Sequence, residues 1–139
     1  MLKAIVGLPG SGKSRILRAV RGYIIIDDMG DDRTWGQSAW ENNIALVQHC
    51  LDRAYNVFVS DVGFCKDERR AWFQTLFPRV QWVFFDNDKA ACLENVTRRF
   101  SQESRTHNLD DELRSVEELS AAYHPVNPSE KCFTPNAIS

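Results

Sequence analysis

The stretch that decides the fold is Gly7-Leu8-Pro9-Gly10-Ser11-Gly12-Lys13-Ser14, which matches the pattern G-x-x-x-x-G-K-[ST]. A short apolar run precedes this stretch, and a segment compatible with a helix follows it. Glycines let the backbone fold tightly and turn its N–H groups around an anion, and a helix N-terminus adds a dipole that favours phosphate. In this pattern the lysine reaches the β- and γ-phosphates of a nucleotide, and the serine hydroxyl binds Mg²⁺. The motif therefore predicts an ATP and Mg²⁺ site in which Lys13 contacts phosphate and Ser14 holds the metal.

Apolar runs alternate with longer segments of mixed polarity along the chain. The apolar runs cover residues 2–6, 23–26, 57–59 and 82–85, and each is continuous, as is typical of strands buried on both faces. The other segments predict helices over residues 12–21, 38–55, 67–77 and 88–100, and a last helix from Asn108 to Pro125. Such alternation implies parallel strands with right-handed crossovers. With the motif, it predicts an α/β fold of the three-layer P-loop NTPase type, a mostly parallel sheet of four to five strands with helices on both faces.

Length and composition limit the remaining choices. The 139 residues predict one domain over 1–139, with a core over 1–125 and a tail over 126–139. The chain carries 17 Lys and Arg residues against 19 Asp and Glu residues, which argues against a protein that coats nucleic acid non-specifically. The apolar runs are far too short for a membrane span, so no membrane partner is predicted. With no secretory leader, the expected location is the cytoplasm, and the oligomeric state stays open.

The four cysteines are Cys50, Cys65, Cys92 and Cys132, separated by 15, 27 and 40 residues. No pair of them has the spacing of a zinc site. We therefore expect buried, reduced thiols and no structural metal.

Carboxylates follow two of the predicted strands. Asp27 and Asp28 come directly after the second strand, and Ser60 and Asp61 come after the third. Ligands of a parallel α/β sheet bind beyond the carboxyl ends of the strands, so both sites face the same edge as the phosphate motif. A carboxylate there can accept a proton from a substrate hydroxyl, or hold Mg²⁺ directly or through water. We predict Asp27 as the base and Asp61 as the metal-side or substrate-positioning carboxylate. The other acidic residues of this region are interpreted as solvated loop charges: Asp28, Asp31 and Asp32.

Arginines follow the fourth predicted strand and its helix. Arg98 and Arg99 are adjacent, about 100° apart on a helix, so only one of them is expected to face a ligand. Arg105 follows in a polar loop. Arginines beside a phosphate site neutralise the charge that spreads over a transferring phosphoryl group. Trp35 and Trp40 lie near the predicted substrate loop, where packing is favoured over the alternative of a stacking platform for a base.

The order of these motifs resembles that of small P-loop kinases, and most closely the kinase domain of phage-type polynucleotide 5′-hydroxyl kinases. The family's C-P-G-S-G-K-S is similar to residues 8–14, and its Ser-Asp followed by Glu-Arg-Arg and an aromatic is similar to residues 60–61 and 68–72. The resemblance covers about residues 2–125. It implies an ATP-dependent kinase with Asp27 as the general base and Arg99 as the lid arginine that touches the ATP phosphates. The residues then expected to bind ATP are Gly7, Pro9, Gly10, Ser11, Gly12, Lys13, Ser14 and Arg99.

One position departs from that family. Three residues after the base aspartate, the family has an arginine that binds the substrate's phosphate, and this chain has Gly30, with Arg33 as a candidate replacement. The leading hypothesis is phosphoryl transfer from ATP to a polynucleotide 5′-hydroxyl. One alternative is a kinase of a small molecule such as a nucleoside or a sugar. The other is a nucleotide-binding module without transfer activity. It is disfavoured because four residues suited to phosphoryl transfer occur together: Lys13, Ser14, Asp27 and Asp61.

Overall fold

The computed structural model describes residues 1–30, 39–102 and 108–134. Within these ranges the strands are β1 (Leu2–Val6), β2 (Ile24–Ile26), β3 (Val57–Ser60) and β4 (Gln81–Phe84). The helices are α1 (Lys13–Ala19), α2 (Ala39–Asp52), α3 (Asp67–Leu76), α4 (Lys89–Gln102) and α5 (Leu109–Ala122), with a short 3₁₀ turn at Val62–Cys65. No helix of these described ranges combines the length and apolar character needed to cross a membrane.

The strands form one sheet in the order β2-β3-β1-β4, and all neighbouring strands are parallel. Because β1 lies between β3 and β4, the segments that follow all three strands meet at one edge of the sheet. Ile5 of β1 is in register with Ser60 of β3, and Val6 is in register with Phe84 of β4. The predicted α/β class and parallel sheet are confirmed, with four strands in the described part of the chain.

The two central strands, β1 and β3, are buried on both faces, which explains their continuous apolar runs. On β1, Ala4 and Val6 belong to the larger core, to which α2, α3, α4 and α5 contribute. Ile5 points the other way into a smaller core with Leu17 of α1. Helices therefore cover both faces, and α1 is placed directly behind the phosphate motif.

The ends of several elements differ from the prediction by one to three residues. Helix α1 ends at Ala19, because Val20 is already extended and Gly22, with φ of +81°, lies in the following turn. Helix α2 ends at Asp52, before the predicted residue 55. Two predicted helix starts are supported by side-chain caps. Asp88 Oδ1 accepts a hydrogen bond from the Ala91 N–H, and Asn108 accepts from the N–H groups of residues 110 and 111.

The segment after Pro125 returns to the core and packs against it. Glu130 forms a parallel bridge with Phe85, directly after β4, and its carbonyl accepts from the Asp86 N–H. Cys132 is buried, and the Phe133 N–H donates to the carbonyl of Ser11 in the phosphate motif at 2.9 Å. The sequence predicted a tail over residues 126–139 and left its contacts open; the described part of the tail packs against the core and the phosphate motif.

Candidate active site

The phosphate motif forms a tight loop between β1 and α1. Gly10 and Gly12 have φ of +83° and +104°, a left-handed backbone that side chains rarely adopt. Both also lie against neighbouring elements. A Cβ on Gly10 would be 2.7 Å from the carbonyl oxygen of Cys92, and one on Gly12 would be 3.0 Å from Phe133 Cβ. The two glycines therefore allow the tight turn, and they let α4 and the segment around Phe133 lie directly against the loop.

Lys13 begins α1, and its side chain reaches back over the loop. Its Nζ donates to the carbonyl oxygens of Gly7 and Leu8, both at 2.9 Å. Burial lowers the pKa of Lys13 from its ordinary value of 10.5, while nearby acids oppose this in part. An anion placed in the loop would stabilise this buried charge, which is the environment that a phosphate-binding lysine needs.

Asp27 is the centre of a hydrogen-bonded row along the edge of the sheet. Its Oδ2 accepts from Ser14 Oγ at 2.7 Å, and its Oδ1 accepts from Ser60 Oγ at 2.6 Å. Ser60 Oγ in turn accepts from the Asp28 N–H at 3.1 Å. The row joins the start of α1 with the ends of β2 and β3. The predicted base is therefore fixed beside the hydroxyl that the motif assigns to Mg²⁺.

The donor set fits Mg²⁺. A hydroxyl and a carboxylate are hard oxygen ligands, and Mg²⁺ in phosphoryl-transfer enzymes uses few protein ligands together with substrate phosphates. In the described ranges, no group of three or more His, Cys, Asp or Glu residues is arranged to hold a metal ion. Ser14 would hold the ion together with nucleotide phosphates, and Asp27 accepts the hydrogen bond of the Ser14 hydroxyl.

Asp61 lies at the predicted edge of the sheet, and its carboxylate binds two backbone N–H groups. It is buried, and its Oδ1 accepts from the Gly30 N–H at 2.8 Å while its Oδ2 accepts from the Gly63 N–H at 2.7 Å. Both oxygens thus hold the backbone, one at the turn after β2 and the other at the 3₁₀ turn Val62–Cys65. Asp61 lines the carboxylate side of the site and orders its loops, and its metal-side or substrate-positioning role stays a prediction.

Two cavities meet at the phosphate loop. The tail-side cavity, about 250 Å³, lies between α1, α4 and Phe133. The carboxylate cavity, about 290 Å³, is lined by Pro9 and by the ends of β2 and β3. Both cavities are lined by Gly10, Lys13, Ser14 and Arg99. This shared wall is where a group could pass from a molecule in one cavity to a molecule in the other.

The two adjacent arginines occupy different positions. Arg99 lines both cavities, whereas Arg98 lines only the tail-side cavity. Arg98 donates to Asn95 Oδ1 at 3.1 Å and lies 3.8 Å from a carboxylate oxygen of Glu94. Both arginines therefore line the tail-side cavity, and only Arg99 also lines the carboxylate cavity; the expectation that one of them faces a ligand stays a prediction. The lid role of Arg99 stays a prediction, and its position is compatible with it.

Three further residues belong to the site and were missed from the sequence. Asn95 of α4 is buried, and its Nδ2 donates to the carbonyl of Gly10 at 2.9 Å and to the carbonyl of Phe133. The Phe133 ring lies under the guanidinium of Arg15, with 3.8 Å between Cζ and the ring centroid. Glu112 of α5 lines the carboxylate cavity. A polar residue on the buried face of a helix was the available signal for Asn95, and nothing in the sequence pattern marks Phe133 or Glu112.

The loop after β2 explains the departure at Gly30. A Cβ at this position would be 2.5 Å from Trp40 Nε1 and 3.1 Å from Asp61 Oδ1, so a larger side chain does not fit. Trp40 itself packs edge-on against Phe64 and Trp72, in agreement with a packing role. The remaining predicted loop residues lie outside the described ranges: Asp31, Asp32, Arg33, Trp35 and Arg105. Asp28, interpreted as a solvated charge, is exposed and also lines the carboxylate cavity.

Comparisons with known proteins support the fold. No protein-family model matches the chain, and no curated protein matches its sequence. Among solved structures, it is similar to a gluconokinase from Sinorhizobium meliloti 1021, with a TM-score of 0.57 and 18% sequence identity. The match covers 94% of this chain and 79% of that chain. The chain therefore shares the α/β fold of that structure.

Proposed function

We propose that this protein is an ATP-dependent kinase that transfers the γ-phosphoryl group to a hydroxyl. The observation that carries the proposal is the row Ser14–Asp27–Ser60, which joins a phosphate loop to a carboxylate at the next strand end. Phosphoryl transfer requires that charge on the phosphates is stabilised and that a base takes the proton of the attacking hydroxyl. The attacking and leaving oxygens lie roughly in line. Lys13, on the wall that both cavities share, meets the first need, and Asp27, in the carboxylate cavity, meets the second.

Each residue then has a role that follows from its position. The loop N–H groups and Lys13 bind the phosphates, and Arg99 neutralises charge that develops on the transferring group. When bound, Mg²⁺ neutralises phosphate charge. Asp27 takes the proton of the acceptor hydroxyl, with its oxygens oriented by the hydroxyls of Ser14 and Ser60. Asp61 keeps the loops around the acceptor in place.

The nucleoside part of ATP fits the tail-side cavity. Arg15, Arg18, Arg98 and Phe133 line it together with the start of α1. Guanidinium groups and a phenyl ring offer flat, partly apolar surfaces on which a base can stack. The acceptor then occupies the carboxylate cavity, on the other side of the shared wall.

Charge in the carboxylate cavity favours an uncharged, hydroxyl-bearing small molecule as acceptor. Among the described residues, its lining includes the carboxylates of Asp27, Asp28, Asp61 and Glu112, which outnumber the cations of Lys13 and Arg99 on the shared wall. Carboxylates accept hydrogen bonds from hydroxyl groups and repel phosphate. Gly30 also leaves no room for the arginine with which polynucleotide kinases hold a substrate phosphate. We therefore propose a nucleoside- or sugar-like acceptor; the gluconokinase likeness is compatible with a small-molecule acceptor and says nothing about its charge.

A polynucleotide 5′ end is the second candidate. It is favoured by the resemblance of residues 68–72 to the polynucleotide kinase motif. In the structure the Arg69 guanidinium lies 4.8 and 4.9 Å from the ring centroids of Trp40 and Trp72, which pack edge-to-face on each other. Trp72 is partly exposed, so this cluster of two rings and a cation offers an aromatic, positively charged surface on α3.

One screen tests the proposal and separates the two acceptors. ADP formation is measured with Mg·ATP and single acceptors: nucleosides, sugars and sugar alcohols, and oligonucleotides with a free 5′-hydroxyl. We expect turnover with a nucleoside or sugar that is lost in Lys13→Ala. Turnover with oligonucleotides alone would favour the second candidate. If the protein binds ATP but no acceptor raises ADP formation, the kinase proposal is contradicted and the hypothesis of a nucleotide-binding module without transfer activity is favoured.

A further inference from the structure

Two cysteines face each other behind the phosphate loop. Cys92 of α4 and Cys132 of the segment after α5 are buried and reduced, with 3.8 Å between their sulfur atoms. Cys132 Sγ also lies 3.4 Å from the carbonyl oxygen of Asp86. The two residues are 40 positions apart in sequence, so the fold rather than a local motif brings the thiols together.

We propose that Cys92 and Cys132 are an oxidation site that forms a disulfide with hydrogen peroxide as the oxidant. A disulfide requires an S–S distance of about 2.05 Å, so the two sulfur atoms must approach by roughly 2 Å. Cys132 can supply this movement because it lies in a short irregular segment. Main-chain bonds to the core are made on either side of Cys132: by Ser129 and Glu130 before it, and by the N–H and carbonyl of Phe133 after it.

The chemistry begins at Cys132. Its exposure is 9%, against 0% for Cys92, so peroxide reaches it first. The hydrogen bond from Cys92 lowers the pKa of Cys132, and the same bond together with burial raises the pKa of Cys92. The thiolate is the nucleophile in such reactions. By contrast, burial raises the pKa of Cys65 to about 11, which keeps that thiol protonated.

The reaction balances in two steps. The Cys132 thiolate attacks one peroxide oxygen, the O–O bond breaks, and a sulfenic acid and hydroxide form. The Cys92 sulfur then attacks the sulfenic sulfur, its proton and the sulfenic hydroxyl leave as water, and the S–S bond forms. Overall, two thiols and one peroxide give one disulfide and two waters. Both sulfurs are oxidised and both peroxide oxygens are reduced.

The bond would fasten two walls of the phosphate loop to each other. Phe133, next to Cys132, donates its N–H to Ser11, and the Cys92 carbonyl lies against Gly10. The disulfide would therefore hold the segment around Phe133 onto α4, beside the phosphate loop that both contact. The site depends on these contacts alone and does not rest on the proposed kinase activity.

Peptide mapping of the full chain tests the site. The reduced protein is treated with hydrogen peroxide, remaining thiols are alkylated, and trypsin is applied without reductant. We expect residues 90–98 and 132–139 as one linked pair, lighter by two hydrogen atoms than the sum of its peptides. A pair that involves Cys50 or Cys65 would overturn the inference, as would Cys132 recovered only as a sulfinic or sulfonic acid.

Thermal unfolding gives a second measurement. A bridge across 40 residues restricts the unfolded chain, so oxidation should raise the midpoint by on the order of 10 °C, reversibly with dithiothreitol. Cys132→Ser and, in case that variant does not fold, Cys92→Ala should show no rise relative to their own untreated forms. Cys50→Ser is the matched control, because Cys50 is also buried and should leave the rise intact. If the linked peptides form but the unfolding midpoint does not rise, a disulfide that fits the folded positions of Cys92 and Cys132 is contradicted.

Discussion

Replacing Asp27 by Asn separates chemistry from binding and from folding. The substitution keeps the size of the side chain and removes the charge and the ability to take a proton. The carboxylate accepts two hydrogen bonds, from Ser14 at 2.7 Å and from Ser60 at 2.6 Å. In the variant, the amide oxygen accepts one of them, and the amide nitrogen donates where the other was accepted.

The expected magnitudes differ enough to be told apart. A hydrogen bond to a charged acceptor contributes about 1.5–3 kcal/mol and a neutral one about 0.5–1.5 kcal/mol. Asp27 is exposed, so water compensates part of the difference and the free energy of unfolding should fall by about 1 kcal/mol at most. Loss of a general base lowers kcat by roughly 10²- to 10⁴-fold, or about 3–5 kcal/mol in the transition state. ATP affinity at saturating Mg²⁺ should change little, because the loop and Lys13 bind the phosphates.

Three measurements follow this variant. Urea unfolding gives stability, calorimetry gives ATP affinity, and ADP formation with the acceptor from the screen gives kcat. Glu117→Gln is the matched control, because Glu117 is an exposed carboxylate of α5 that pairs with Lys89 at 3.0 Å, outside both cavities. Ser60→Ala keeps the carboxylate and removes one donor, so its loss of kcat should be smaller. A kcat of Asp27→Asn within about tenfold of the wild type would refute Asp27 as the base.

Three other substitutions test the remaining parts of the site. Lys13→Met should abolish ATP binding in calorimetry. Burial lowers the pKa of Lys13 below 10.5, so between the lowered pKa and 10.5 the unfolded chain binds a proton that the folded chain does not. The free energy of unfolding of the wild type should therefore rise relative to that of the variant as pH increases through this range. Urea titrations at several pH values measure this difference in the free energy of unfolding. A difference that falls with rising pH would contradict the lowered pKa of the buried Lys13 amine. Arg99→Ala should lower kcat by on the order of 10³-fold and Arg98→Ala by less; equal, minor losses would remove the lid arginine from the mechanism. Phe133→Ala removes the ring under Arg15 and should weaken ATP binding several-fold by calorimetry. Thr134→Ala, at the exposed next residue, should not, and equal losses would exclude a specific contact.

Local sequence patterns were sufficient for the fold class. The phosphate loop is encoded by its glycines and by the helix start at Lys13, and β1 was predicted at Leu2–Val6 with its observed bounds. Caps at Asp88 and Asn108 were also readable, because each bonds N–H groups within three residues of itself. Such features depend on backbone preferences and burial of neighbouring residues, which a sequence records directly.

The edge of the sheet that carries the site could be predicted, but the bonds within it could not. Asp27 was predicted at that edge because parallel strands place their carboxyl ends together. Its partners Ser14 and Ser60 are 13 and 33 residues away, and only strand order and register decide that they touch it. Asp61 shows the same limit. Its position was predicted, whereas its two bonds to backbone N–H groups depend on the turns that fold around it.

The chain end is where tertiary structure decided most. The residues after Pro125 carry no periodic pattern and were predicted as a tail, yet Phe133 contacts Ser11 and Asn95. Asn95 Nδ2 also bonds the carbonyl of Gly10, 85 residues away. A contact over that distance follows from the packing of α4 and α5 on the sheet and leaves no trace in local composition. The sequence by itself therefore determined which loop should bind phosphate, and the packed chain determined which residues form its walls.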